Sequence, residues 1–410
     1  MKPVYIVSWL FALAISFVSC DDWLDKTPKD RLYPDVYFKT EDELRLFTNQ
    51  FYNNLVPSAV DIYSESSDLI VKSDLMLEMS GQRIIPDEGN GWNFTALRDI
   101  NFYLQYSHNC TEVNARNRYD GVARFFRAYF YFEKVKRYGD IPWYDKALDS
   151  DDPELYKARD SREFVMQKML EDLDFAIANL PKTKNAYVLT RWTALALKSR
   201  VCLFEGTFRK YHGLEDYEKY LNACVSASET FMNESGYTLY KSGSTPYRDL
   251  FASINLQADE VIFGRDYEAS LSVLHNVQNY ENSTTMGRPG MNKKIVNSYL
   301  MADGSRFTDK AGYETMTFDQ ECQNRDPRLA QTIRTPGYTR IGSTKKEAPN
   351  LAYTMTGYHL IKYSMTANYD EYNKSCNDIL LFRTAEVYLN FAEAKAELGT
   401  LKQADINKSI

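Results

Sequence analysis

The sequence predicts a mainly α-helical protein, built from helical hairpins of a degenerate tetratricopeptide type with a loop-rich subdomain packed on them. Apolar residues recur at steps of three and four over several long segments, which is the spacing of one buried helix face. The connections between these segments are short, and small residues stand where neighbouring helices would meet. The repeats do not align at a strict period of about 34 residues, so paired helices are expected but a regular solenoid is not.

The segment Gly121–Pro142 is expected to be the helix around which the others pack. Basic residues fill its last turn, where cations suit the exposed carbonyl groups, and Gly139 and Pro142 provide a cap and a stop. Because its aromatic residues lie on more than one side, this helix is predicted to sit between other elements. Its periodic apolar residues are Val122, Phe125, Phe126, Tyr129, Phe132 and Val135.

Further helices are predicted on the same grounds of periodicity, caps and stops. Thr40 and Glu43 form a capping box at the start of the first of them, and another helix begins near Trp92. The last one, Phe382–Leu398, carries apolar residues on two sides and is expected to be buried between layers. A short strand is predicted within residues 258–267, and Glu281–Gly290 is predicted to be a loop. The remaining helices are Glu41–Leu55, Ser161–Pro181, Thr190–Gly206 and Asp216–Gly236.

Composition limits the classes of function. The 410 residues are 44% hydrophobic and 26% charged, which is typical of a globular protein rather than a disordered one. The formal net charge is -7 and no basic block occurs, so nucleic acid is not an expected partner. Aromatic residues make up 14% of the chain, with 31 tyrosines. Most are expected in the core, and some are expected to be exposed as platforms for sugar rings or a protein partner.

The N-terminus predicts export and lipid attachment. Residues 1–19 read as a signal peptide, since the apolar run Val4–Val18 is too short to span a membrane comfortably. The residues from Phe17 to Cys20 resemble a bacterial lipobox, which makes Cys20 the expected site of fatty acylation. The alternative is ordinary signal cleavage nearby that leaves Cys20 as a free cysteine. No later segment is apolar enough over sufficient length to cross the bilayer.

Five stretches in a fixed order give the chain a family resemblance. They are the lipobox with DDWLDKTP, WNFTALRDIN, ARFFRAYFYFEKVKRYGDIP, NRDPRL and FRTAEVYLNFAEAKAELG. Together they resemble the SusD/RagB family of outer-membrane nutrient-binding lipoproteins. The resemblance implies a SusD-like fold, with a helical-hairpin region over residues 20–238 and a loop-rich C-terminal region over residues 239–410. Proteins of this family continue with further helices, so the chain is expected to be C-terminally incomplete, which would expose an apolar face of Phe382–Leu398.

The same resemblance implies a function. Such a protein would face the cell exterior, bind oligo- or polysaccharides without turning them over, and deliver them to a SusC-like TonB-dependent transporter. A peptide-binding, RagB-like uptake protein is the first alternative. The others are a glycoside hydrolase, since a pair among the 56 acidic residues could serve, and a helical scaffold that binds only protein.

Five residues are predicted to contact the ligand. Trp92 and Asn93 lie at the entry to a helix, Asp74 and Arg83 lie in the polar stretch before it, and Tyr280 lies at a later loop. Trp92 could instead anchor the core, and Asp74 and Arg83 could pair with each other. Aromatic faces stack on sugars, while Asn, Asp and Arg share pairs of hydroxyl groups.

Catalytic and metal motifs are otherwise missing from the sequence. The four histidines are isolated, and no HExxH pair, GxSxG elbow or phosphate-binding glycine loop occurs. The acidic stretch Asp149–Glu154 is either a solvated loop or a calcium site, because carboxylate oxygens suit that ion. No cofactor is expected beyond that calcium alternative.

Overall fold

The computed structural model describes residues 37–63, 67–86, 89 and 91–410, so the predicted signal peptide and Cys20 lie outside the described residues. The strands are β1 (Ile70–Val71), β2 (Val261–Arg265), β3 (Gly290–Met291) and β4 (Ile379–Arg383). The helices are α1 (Glu41–Leu55), α2 (Val60–Tyr63), α3 (Leu77–Ser80), α4 (Thr95–Tyr106), α5 (Val113–Tyr138), α6 (Arg162–Asn179), α7 (Arg191–Tyr211), α8 (Tyr217–Glu234), α9 (Pro246–Ala252), α10 (Val277–Asn282), α11 (Lys293–Ser298), α12 (Phe318–Glu321), α13 (Thr384–Glu397) and α14 (Gln403–Ser409). The mainly α-helical class predicted from the sequence is confirmed.

Helix α5 occupies the centre of the largest hydrophobic core, as predicted. It packs against α1, α4, α6 and α7, and its aromatic side chains are buried on several sides. The ring of Phe126 meets that of Phe51 on α1, with centroids 6.1 Å apart, while Phe132 meets Phe204 on α7 at 5.5 Å. Burying such large apolar side chains on one helix contributes about 1.5–3 kcal/mol for each of them.

The C-terminal end of α5 is where the sequence predicts it, whereas its N-terminal end is not. Gly139 caps the C-terminus in a conformation with φ of +71°, which glycine adopts without the steric cost other residues meet. The helix begins at Val113 rather than near Gly121, because polar residues of its first turns contact α1. Both Arg118 and Tyr119 reach Glu41, each at 3.4 Å.

The other long helices have the caps that the sequence predicts, and a small residue allows two of them to pack closely. The predicted box between Thr40 and Glu43 is present, and Ser161 accepts a hydrogen bond from the backbone of Phe164. Gly206 lets α7 approach α8, because a Cβ atom there would lie 2.7 Å from Leu221. Helix α7 continues to Tyr211, five residues past its predicted end at Gly206.

The C-terminal helix differs from the prediction in two ways. Residues 379–383 form β4, which pairs antiparallel with β2, so the helix begins at Thr384 and not at Phe382. The predicted burial on both sides is wrong. The face with Val387 and Phe391 is buried against α7 and α8, whereas Leu389 on the other face is 53% exposed. The strand predicted within residues 258–267 is confirmed as β2.

A buried ion pair joins three of the central helices. The guanidinium of Arg127 on α5 donates to both carboxylate oxygens of Asp172 on α6, at 2.6 and 2.7 Å. Its third nitrogen, Nη1, donates to the Oδ1 of Asn101 on α4 at 3.2 Å. All three side chains are buried, so this pair depends on its geometry to offset the loss of hydration.

The loop-rich region contains a second buried polar cluster around α10. The Oε2 of Glu281 accepts a hydrogen bond from Ser364 at 2.6 Å, and Asn282 accepts one from Arg340 at 3.1 Å. Arg340 also binds Asp370 at 2.6 Å. Burial raises the pKa of Glu281 to about 8 despite the hydrogen bond from Ser364 and the nearby arginines. The helix α10 thus ties distant loops together through polar contacts.

Among the residues that the structure describes, no helix combines the length and the apolar character that crossing a bilayer requires.

Removing one partner of the buried ion pair should be costly. We expect Asp172→Ala to lower the free energy of unfolding by about 3–5 kcal/mol, since it leaves the Arg127 charge buried without its partner. Chemical denaturation measures this loss. Glu171→Ala is the matched control, because Glu171 forms an exposed pair with Lys168 on the same helix and should change stability by less than about 1 kcal/mol. Equal effects of the two changes would contradict the assignment, and the double variant Arg127→Met/Asp172→Leu should recover most of the loss.

The raised pKa of Glu281 predicts a pH dependence of stability. A carboxyl group with a folded pKa near 8 contributes its full stability below its unfolded pKa of about 4.5 and loses it as the pH rises toward 8. Relative to the natural protein, Glu281→Gln should gain stability with a slope of up to about 1.4 kcal/mol per pH unit in that window.

Denaturation of both proteins at several pH values checks this slope. Burial lowers the pKa of His275 to about 4 and that of His359 to about 3, so both proteins lose histidine-linked stability below about pH 6.5. Because that loss is shared, it cancels in the difference. A difference that stays constant from pH 4.5 to 8 would show that Glu281 is ionised throughout.

Candidate functional site

Trp92 lies in the turn that leads into α4, and its side chain is partly buried, with 40% of the residue exposed. Its indole meets the ring of Phe94 at 5.3 Å and that of Tyr138 at 4.9 Å, both nearly perpendicular. Asn93 is exposed, and its Oδ1 accepts a hydrogen bond from the backbone N–H of Thr95 at 2.8 Å. This turn therefore fixes the entry to α4 while leaving one aromatic side chain partly open to solvent.

A cavity of about 510 Å³ opens beside Trp92. Its wall comes from the turn before α4, from α4 itself, and from two stretches that follow α5 in the chain. Aromatic and aliphatic side chains form much of the wall, and four basic side chains complete it. The lining residues are Trp92, Phe94, Thr95, Leu97, Arg98, Asn101, Pro142, Tyr144, Lys146, Leu148, Leu155, Lys157, Ala158 and Arg159.

The aromatic part of the wall is held in place from the core. The Tyr144 ring meets that of Phe94 at 5.7 Å, and its backbone N–H donates to the buried hydroxyl of Tyr131 at 2.6 Å. Its backbone oxygen accepts from the Nδ2 of Asn101 at 2.8 Å. Since Asn101 also contacts Arg127, the buried ion pair and the cavity wall share one hydrogen-bonded network. Such support fixes the spacing of the rings before any ligand arrives.

The basic side chains are placed around this aromatic wall. The guanidinium of Arg159 lies 5.1 Å from the centre of the Trp92 ring, and the ammonium of Lys157 lies 5.2 Å from that of Tyr144. Lys157 also donates to the carbonyl of Trp143 at 2.7 Å. The hydroxyl pKa of Tyr144 is raised by burial and by the nearby acidic residues, so it stays protonated at neutral pH.

Asp74 and Arg83 do not line this cavity. Both are exposed, and both lie in the irregular stretch that contains α3. Their proposed roles in ligand contact remain predictions, as do those of Trp92 and Asn93.

The prediction that Tyr280 lies at an exposed loop is wrong. It lies in α10 and is 5% exposed, not in an open loop. The segment from Val277 to Asn282 carries four polar residues and reads as a loop in the sequence. It folds as a short buried helix because Gln278 accepts a hydrogen bond from Met365 at 2.7 Å and Glu281 accepts one from Ser364. Such distant partners leave no local signal in the sequence.

Of the residues that line the cavity, Trp92 alone is among the predicted ligand contacts, and the sequence did not predict the roles of Phe94, Tyr144 and Arg159. The only local signal is the density of aromatic residues around Trp92 and in the WY pair after Pro142. Residues some 50 positions apart face each other here, and that pairing comes from the packing of α4 on α5.

The acidic stretch Asp149–Glu154 does not form a metal cage. Asp152 caps a short 3-10 helix and lies 3.7 Å from Lys146, while Asp149 lies 4.0 Å from Arg98. In the described part of the chain, no group of three or more His, Cys, Asp or Glu side chains could hold a metal ion. Calcium binding by this stretch stays a prediction.

Two family models match different parts of the chain. Residues 250–410 match the SusD family, and residues 81–191 match a family described as starch-binding and associating with the outer membrane. SusD-like protein P38 of Formosa agariphila is 23% identical over 450 residues, covering 98% of this chain and 81% of its own length. SusD-like protein P2 of the same organism is 25% identical over 415 residues, covering 94% and 76%.

Solved structures share the fold. A SusD-like protein from Bacteroides fragilis aligns with a TM-score of 0.74 and 23% identity, covering 93% of this chain and 80% of its own. A SusD-like carbohydrate binding protein from the same species gives 0.73 and 18%, covering 91% and 77%. A structure solved with a xylogluco-oligosaccharide gives 0.63 and 18%, covering 90% and 76%. The family models matched on both halves of the chain, together with the relatives along nearly its whole length, assign this protein to the SusD/RagB family.

Proposed function

We propose that the protein is a surface-exposed outer-membrane lipoprotein that binds glycans in the cavity beside Trp92 and passes them to a SusC-like TonB-dependent transporter. The observation that carries the binding role is this cavity, with a half-exposed indole and a rigidly supported tyrosine in its wall. Its volume of about 510 Å³ is within the usual range for sites that hold small ligands. One of the two matched families is described as starch-binding, which supports the same ligand class.

The chemistry of the wall suits a sugar. The apolar C–H face of a pyranose ring packs on an aromatic side chain, while the ring hydroxyls need donors and acceptors at the rim. Trp92 and Tyr144 offer such faces, and arginine and lysine side chains offer donors around them. Individual contacts of this kind are weak, so useful affinity would come from several sugar units bound together or from avidity at a crowded surface.

The cavity favours binding over hydrolysis. Glycoside hydrolases place two carboxyl groups on opposite sides of the bond they cleave. None of the residues that line this cavity is an aspartate or a glutamate. A hydrolase mechanism of that type therefore has no acid and no base at this site.

The proposed function also includes a lipid anchor at Cys20 and a transporter that receives the glycan. Acyl chains on Cys20 would hold the protein at the outer membrane, each buried methylene contributing about 0.8 kcal/mol. The transporter would then receive glycan at short range from a protein confined to the same surface. The description of one matched family, which mentions the outer membrane, supports this location.

Replacing the indole tests the binding site. We expect Trp92→Ala to weaken glycan binding at least about tenfold, or about 1.4 kcal/mol, because a stacking face is lost. Calorimetry of the purified protein with starch, xyloglucan and pectin oligosaccharides, and with oligopeptides, measures this. Tyr372→Ala is the control, since Tyr372 is 71% exposed and lies outside the cavity wall. Unchanged glycan affinity in Trp92→Ala would remove the site, and binding of peptides alone would favour the RagB-like alternative.

Replacing the lipobox cysteine tests the anchor. Cys20→Ala should abolish labelling by a fatty-acid probe and move the protein from the membrane fraction to the soluble one, because the acyl chains would have no attachment point. Cys322→Ala is the control, as Cys322 is a free, partly exposed cysteine outside the motif. Membrane retention by Cys20→Ala, with labelling intact, would refute lipid attachment at this residue.

A further inference from the structure

The charged groups in the wall of the cavity beside Trp92 are all of one sign. Four basic side chains line it, from Arg98, Lys146, Lys157 and Arg159, and no carboxylate does. This arrangement is local, because the whole chain carries a net charge of -7. A cavity with only cationic groups in its wall attracts anionic ligands more than neutral ones.

Two of these cations are bound only loosely to carboxylates outside the cavity. Arg98 lies 4.0 Å from Asp149, and Lys146 lies 3.7 Å from Asp152. The side chains of Arg98, Lys146 and Asp149 are more than half exposed. Exposed pairs at such distances contribute little, about 0–1 kcal/mol, so the two carboxylates hold these cations only weakly. The Nε of Arg98 also donates to the backbone carbonyl of Leu148 at 3.1 Å, which positions this side chain at the cavity while its other nitrogens remain available to a ligand.

Lys157 has a different role. It donates to the carbonyl of Trp143 and lies 2.9 Å from Asp160, which itself accepts from the backbone N–H of Trp143 at 2.7 Å. These contacts fix the stretch that carries the aromatic wall. Lys157 is therefore a supporting residue, and the ligand-facing charge comes from the other three cations.

Arg159 is placed best to meet a ligand. Its guanidinium lies 5.1 Å from the centre of the Trp92 ring and is exposed. Among the described residues it forms no salt bridge with an acidic side chain, so its charge is not neutralised within that part of the fold. A planar guanidinium offers paired N–H donors that match two oxygens of a carboxylate or a sulfate. A sugar stacked on Trp92 would carry its substituents toward this group.

We propose that the cavity is selective for acidic glycans, in which a sugar stacks on Trp92 while its uronate carboxylate or sulfate ester binds Arg159, with Arg98 and Lys146 beside it. This inference rests on the glycan-binding function proposed above and adds the class of glycan. The anionic oxygens are the shared chemistry of the two ligand types, and separate titrations distinguish them.

The experiment compares each acidic glycan with a neutral partner of the same backbone. Oligogalacturonate is titrated against its methyl ester, and a sulfated oligosaccharide against its desulfated form, by calorimetry of the full chain. We expect the acidic member of at least one pair to bind about tenfold tighter at low salt. The advantage should shrink at 0.5 M NaCl, because exposed charges are screened at that ionic strength. The pair that shows the larger difference identifies carboxylate or sulfate as the preferred group.

Two substitutions assign the effect to the residue. Arg159→Gln should weaken binding of the acidic member about tenfold and leave the neutral member within about twofold, whereas Trp92→Ala should weaken both. Arg45→Gln is the control, since Arg45 is an arginine on α1 whose exposed pair with Asp42 lies outside the cavity. Thermal melting confirms that the variants fold.

The outcomes separate this inference from the proposed function. Equal or tighter binding of the neutral members overturns the acidic-glycan inference and leaves glycan binding intact. An acidic preference that survives in Arg159→Gln overturns the assignment to Arg159. Failure of every glycan, acidic or neutral, to bind the natural protein overturns the proposed function itself.

Discussion

The buried pair of Arg127 and Asp172 is the interaction on which the helical part of this structure depends. It joins α5 to α6 by two short hydrogen bonds, and the third nitrogen of the guanidinium donates to Asn101 on α4. Asn101 then donates to the backbone of Tyr144, which forms part of the cavity wall. Because buried charges tolerate little displacement, this network fixes three helices and one irregular stretch in a single arrangement. The geometry of the candidate site therefore follows from the packing of the core.

Aromatic residues serve two purposes in the same neighbourhood. Tyr131 is fully buried and stacks on Trp143 with centroids 4.3 Å apart, which fills the space behind the cavity. Trp92 and Tyr144, which lie in the wall of the cavity, keep part of their surface open. The transition from core to site is thus gradual, and the open rings inherit the rigidity of the buried ones. A ligand that stacks there meets a surface whose side-chain entropy has already been lost on folding.

The loop-rich region is held together by a different kind of contact. Its loops converge on α10, where Gln278 and Glu281 bind backbone and side-chain groups from residues more than 80 positions away. Buried polar networks of this kind specify one arrangement of the chain, since each broken contact would leave a group without a partner. One consequence is that the pKa of the Glu281 carboxyl group is raised to about 8, which makes the stability of this region sensitive to pH.

The sequence by itself determined the helical class, the centrality of α5 and the caps at Thr40, Ser161 and Gly139. These features rest on local rules, namely periodicity, capping and the conformational freedom of glycine. It also determined the family, through motifs spread along the chain. Only the tertiary structure decided that residues 379–383 pair as a strand, that Tyr280 is buried, and which side chains line the cavity beside Trp92. Each of those outcomes depends on contacts with residues that are distant in the chain. Such contacts produce no periodic pattern in the local sequence, so the sequence alone does not reveal them.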